Sequence, residues 1–147
     1  MKYAASALLV LALAACGTAS GNRPADIAKP EIRVQQANPL FFGSTSTAPL
    51  SLDVSITNRA NVPLRVREIQ LSSPGMVQYT IRNASRIFNE TIQPGETKTL
   101  GLLTTAIARQ ARLEVSEPLA IRAFLRFEVN GKQFSQIVTE QFAGPGV

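Results

Sequence analysis

The chain offers few side chains able to do chemistry. Its 147 residues include one Cys, at position 16, and neither His nor Trp. A serine-type catalytic triad needs a His base, and a structural zinc site needs Cys or His ligands, so this inventory can build neither. One thiol also excludes an intramolecular disulfide. The carboxylates are Asp26, Asp53 and eight Glu scattered singly. Glu114 and Glu117 are close in sequence, but they sit beside Pro118 in a loop-forming stretch. Gly43-Ser44-Thr45-Ser46-Thr47 lacks the Lys and the spacing of a phosphate-binding loop. The expectation is a protein with no catalytic residues, no metal and no cofactor. The cations are more informative. Arg65 and Arg67 alternate with Leu64 and Val66, while Arg122 and Arg126 flank Phe124. Guanidinium groups stack on aromatic rings and bind carboxylate or phosphate in a bidentate manner. If the two segments are neighbouring strands, Arg65, Arg67, Arg122, Phe124 and Arg126 form one candidate binding face. The alternative is a solvated face on which the Arg stems cover apolar surface.

The lone thiol gains meaning from its position. Lys2 is followed by an apolar run from Ala4 to Ala15, broken only by Ser6. A positive residue before roughly a dozen apolar residues, ending in small ones, is the layout of a secretory signal peptide. The run is too short to span a bilayer, which takes about 20 apolar residues. It ends Leu13-Ala14-Ala15-Cys16-Gly17, which resembles the lipobox of bacterial lipoproteins. The resemblance implies cleavage between Ala15 and Cys16. It also implies a diacylglyceryl thioether on Cys16 and a freed amine that can be acylated. One acyl chain binds a membrane marginally, whereas two or three anchor firmly. In Gram-negative members of that family, Asp after the Cys is the usual signal for inner-membrane retention. Gly17 therefore implies an outer-membrane, periplasm-facing location in such a cell. Lipidation would leave the folded part without a free thiol, which suits an oxidising compartment.

The rest of the chain must position the arginines. Residues 16–30 are small, polar and interrupted by Pro24 and Pro30, and they read as a flexible lipidated tether. From Glu31 onward the apolar residues recur with a period near two. Ile32 and Val34, then Leu52, Val54 and Ile56, alternate with polar residues. Leu64 and Val66 do the same before the phase slips ahead of Ile69 and Leu71, which predicts a bulge at Arg67-Glu68. Further strands are predicted at residues 77–81, at 87–92 as a short edge, and from Thr97, with a helical turn at 105–113. The strongest pattern puts Ile121, Ala123, Leu125, Phe127 and Val129 on one face, with Arg122, Phe124, Arg126 and Glu128 on the other. Asn130-Gly131 predicts a type I′ hairpin that pairs Phe127 with Phe134, followed by a last strand to Phe142 and a loose tail over 143–147.

Seven or eight short strands over 31–142 predict an immunoglobulin- or fibronectin-like all-β sandwich. The stretch from Ser55 to Val66, with Asn58-Arg59-Ala60-Asn61 between two strands, resembles the water-stress (WHy) domain, which includes late-embryogenesis-abundant type-2 proteins. The hairpin Phe127 to Phe134 is similar as well. The family usually carries Asn-Pro-Asn at the turn, and this chain departs from that. The resemblance implies a fibronectin-like sandwich and, as an alternative role, protection against desiccation. The leading expectation is a non-enzymatic envelope lipoprotein that is held to the membrane through Cys16 and contacts another envelope protein. A carrier of a small apolar ligand between the sheets is the third reading. Nucleic acid is a poor partner for an exported, membrane-anchored domain, whatever its basic balance of 15 Lys and Arg against 10 Asp and Glu. Oligomeric state is left open.

Overall fold

A computed structural model describes residues 20–21, 23–75, 78–109 and 117–144. The segment read as a signal peptide, with Ala15 and Cys16, lies outside the described residues, as do Val77, residues 110–113 of the expected helical turn, and residues 145–147. Period-two patterning dominates what is described, and every regular element there is a strand. These are β1 (Ser20–Gly21), β2 (Glu31–Gln36), β3 (Thr47–Thr57), β4 (Leu64–Ser72), β5 (Tyr79–Ile81), β6 (Ala84–Ile92), β7 (Thr97–Ala108), β8 (Leu119–Val129) and β9 (Lys132–Phe142). They form two antiparallel sheets, with orders β1-β9-β8-β4-β6 and β2-β3-β7-β5. The fold is an all-β sandwich.

Alternation decides what lies between the sheets. In β3, Ala48, Leu50, Leu52, Val54 and Ile56 are buried, while Pro49, Ser51, Asp53 and Ser55 face outward. In β8, Ile121, Ala123, Leu125, Phe127 and Val129 are buried. Each fully buried Leu, Ile or Phe contributes about 1.5–3 kcal/mol relative to exposure, so this layer supplies the main driving force. At one end Tyr79 stacks on Phe42, their ring centroids 5.6 Å apart.

The strand expectations meet the structure unevenly. Phe127 does pair with Phe134, with ring centroids 5.3 Å apart. Asn130 and Gly131 take φ values of 50° and 76°, as a type I′ turn requires. The β4 register shifts between Val66 and Glu68, so the bulge lies where the phase slip indicated. A helical turn does not begin at Thr105. Residues 105–108 continue β7, because 105–107 pair with residues 47–49 of β3 and 106–108 pair with Tyr79–Ile81 of β5. The edge strand β6 starts at Ala84, earlier than residue 87.

The segment read as loose tether is also attached to the domain. Ser20 and Gly21 pair with Gln136 and Ser135 of β9. Ile27 and Pro30 are buried, and Ile27 belongs to the hydrophobic core. The Ile27 N–H donates to the Pro24 carbonyl at 3.1 Å, and Arg23 donates to the Ile27 carbonyl. Apolar burial of Ile27 outweighs the breaks at Pro24 and Pro30, which only prevent regular pairing.

Candidate functional site: the outer face of β4 and β8

The pairing of β4 with β8 brings all five sequence-selected residues to the outer face of one sheet. Register explains how. Arg65 lies opposite Glu128, Glu68 opposite Arg126, Gln70 opposite Phe124, and Ser72 opposite Arg122. Before the bulge, Leu64 and Val66 point inward; after it, Ile69 and Leu71 do. The bulge thus leaves two consecutive residues, Arg67 and Glu68, on the solvent side.

Two glutamates lie among the arginines. Glu128 has Arg65 at 3.9 Å and Arg67 at 3.6 Å, and Glu68 has Arg126 at 3.2 Å. The Glu68 carboxylate also accepts from Gln70 Nε2 at 2.9 Å and Ser85 Oγ at 2.7 Å. The Gln70 bond, then the Ser85 bond, and less strongly the Arg126 charge hold Glu68 below the usual carboxylate range. Cross-strand pairs of opposite charge contribute roughly 0.2–1 kcal/mol each, so they order the face more than they stabilise the fold. The Arg126 guanidinium lies 6.0 Å from the Phe124 ring centroid, at the outer limit of a cation–π contact.

Arg122 differs from the other three. Its cross-strand neighbours are Ser72 and Thr139, and among the described residues no carboxylate lies within ion-pair distance. It is exposed and stands beside half-buried Phe124. A shallow depression of about 190 Å³ adjoins that ring, lined by Gln70, Ser72, Asn83 and Ser85 among others. The face therefore divides. Arg65, Arg67 and Arg126 are engaged in a charge network, while Arg122, without an ion pair among the described residues, and Phe124 present a cation and an aromatic surface beside the amides and hydroxyls of the depression. Sequence periodicity placed Glu128 on this face but gave no role to Glu68, whose side depends on the bulge. Exposed Ile87, opposite Glu68 on β6, was also assigned to a strand without a face.

The outer face of the other sheet is different in kind. Ser55 and Thr99 share a hydroxyl hydrogen bond at 2.8 Å, and Thr57 and Thr97 share one at 2.7 Å. Beside them Glu31 is held by Arg59 and Arg33, and these bonds, Arg59 first, lower its proton affinity. Among the described residues no group of three or more His, Cys, Asp or Glu could hold a metal ion, and no helix is long and apolar enough to cross a membrane.

No protein-family model matches the chain, and no curated protein matches it. Solved structures do. The X-ray structure of the Northeast Structural Genomics Consortium target SoR45 has a TM-score of 0.55 at 12% identity, over 81% of this chain and 88% of that one. A protein from Archaeoglobus fulgidus gives 0.45 at 10% identity, over 76% and 91%. A FixG-related protein from Vibrio parahaemolyticus gives 0.40 at 13% identity, over 82% and 100%. At such identities the likeness to the first structure bears on the sandwich fold alone.

Proposed function

We propose that this chain is a bacterial envelope lipoprotein, anchored through lipid on Cys16, whose β-sandwich acts as a non-enzymatic binding module. Its partner is another envelope protein, met through the outer face of β4 and β8. The observation that carries the reading is Arg122 and Phe124 side by side at the end of a face whose other arginines are already paired. Arg and aromatic residues are the types enriched at protein interfaces. Four arginines against two glutamates leave the face positive, which favours an acidic partner surface. The apolar-carrier reading has less support, because the described depressions lie on outer faces and rims while Leu50, Leu52, Val54, Ile56, Leu125 and Phe127 fill the inter-sheet layer.

Two measurements test the proposal. Metabolic labelling with a palmitate analogue is expected to tag the wild type and not Cys16→Ser; equal labelling of both refutes the anchor. Pull-down of envelope proteins is then compared between wild type and Arg122→Glu with Phe124→Ala. This pair of changes leaves every ion pair of the face intact, and loss of a specific partner is expected. Identical partner sets from two equally folded proteins remove the face as the binding site.

A further inference from the structure

The strand β1 fixes the direction from which the anchored chain approaches. It runs antiparallel to β9, with Ser20 opposite Gln136 and Gly21 opposite Ser135. Tracing back from Gly21 to Ser20 therefore leads along β9 toward Phe142. Cys16 is four residues before Ser20, and an extended chain of four residues reaches at most about 14 Å. A lipid on Cys16 is thus held within that reach of Ser20, where the β1 backbone heads toward the end at which β9 finishes.

Among the described residues, that end exposes a large apolar side chain and the other does not. The connection between β2 and β3 reads Pro39-Leu40-Phe41-Phe42-Gly43. Leu40 and Phe42 are buried, while Phe41 between them is 79% exposed. With Pro39, Ala143 and Gly144 it lines an open groove of about 460 Å³ beside the exit of β9. The other exposed large apolar side chains among the described residues, Ile87 and Leu103, stand on sheet faces in mid-strand. The opposite end is built from residues 58–63, 93–96 and 130–131, where Arg59, Asn61, Gln93, Glu96 and Asn130 are exposed.

We infer that the Phe41 end of the sandwich lies on the lipid surface, with Phe41 entering the interfacial layer beside the anchor. This rests on the lipoprotein reading above. The physics is that of a weak contact linked to a firm one. A short tether holds Phe41 at high effective concentration against the bilayer, so one aromatic side chain suffices to fix an orientation that it could not hold alone. The outer face with Arg122 and Phe124 then stands upright from the membrane, open to a partner alongside.

Site-specific labelling tests this on the mature lipidated protein, residues 16–147, in phosphatidylcholine vesicles. Lipidation consumes the only native thiol, so Ser44→Cys and Lys132→Cys each carry one reactive site, at opposite ends and with Phe41 retained. An environment-sensitive fluorophore at 44 is expected to emit as in an apolar medium. Doxyl-labelled lipids should quench it about twofold or more beyond the label at 132. Water-like, unquenched emission at 44, or equal quenching at both positions, overturns the orientation. Uptake of the thiol label by the wild type shows an unmodified Cys16 and overturns the lipid reading together with it.

Discussion

The amide of Asn58 is buried between two turns, and all its polar groups are used. Its Nδ2 donates to the Val62 carbonyl at 2.8 Å and to the Ile92 carbonyl at 2.9 Å, and its Oδ1 accepts from the Ala60 N–H at 2.9 Å. Its backbone N–H donates to the Glu96 carbonyl and its own carbonyl accepts from the Gly95 N–H, each at 2.9 Å. One residue thus joins the β3–β4 turn to the β6–β7 turn. The Asn58→Ala variant removes the side-chain bonds to the Val62 and Ile92 carbonyls and to the Ala60 N–H in a site that water cannot easily reach. Each such buried group costs about 1–3 kcal/mol, so a loss of about 2–4 kcal/mol is expected after partial relaxation. Thermal unfolding of the two proteins measures it; equal midpoints would contradict the account. The sequence marked Asn58 as a turn residue and as part of the water-stress resemblance. It could not reveal a buried amide, because three of the groups Asn58 binds belong to Ile92, Gly95 and Glu96, far along the chain.

Elements were more legible than their partners. Alternation in β3 and β8 shows directly in the residues, since side-chain period is a local property of an extended chain. The β8–β9 hairpin was legible for a related reason: Asn130-Gly131 is short enough to set the register by itself, which fixed Phe127 opposite Phe134. Gly131 sits at φ 76°, and a Cβ built on it meets nothing within 4 Å. The Gly131→Ala variant therefore isolates the conformational cost of the left-handed region, about 1–2 kcal/mol, without any clash. Urea denaturation should show a lower midpoint at unchanged slope, and an unchanged midpoint would mean that the turn is not strained by a side chain. Pairing between distant strands was harder to read. The neighbour relation of β4 and β8 could be stated only on the condition of an immunoglobulin-like strand order, and it holds. Glu68 joined the face only because the bulge turned it outward. The residues after Thr104 misled because β-branched Thr105 and Ile107 gain strand partners from β3 and β5, a tertiary effect that overrides local helical compatibility.

At the scale of the molecule, the boundary of the folded unit lies earlier than composition suggests. Gly, Ser, Pro and Ala dominate residues 17–26, and nothing periodic marks them as part of a fold. Yet Ile27 reaches the core at 6% exposure, Pro30 is buried, and the Pro30 carbonyl lies 3.4 Å from the buried Gln136 Nε2. A single apolar residue has no period, so such docking is invisible until the surface that receives it exists. The consequence is measurable. A protein that starts at Glu31, where regular alternation begins, exposes the core around Ile27 and removes the cover of β9. One that starts at Gly17 retains both. The shorter form is expected to be less stable by about 2–4 kcal/mol, the range for deleting a well-buried aliphatic side chain together with its packing. An Ile27→Ala change in the longer form should reproduce most of that loss, while replacing exposed Ala25 by Ser should reproduce none. If calorimetry finds the Glu31 form as stable as the Gly17 form, then the segment before β2 is only a leash. An end anchored as proposed would then be free to turn relative to the sheet edge, and the approach direction read from β1 would no longer support the inferred orientation on a membrane.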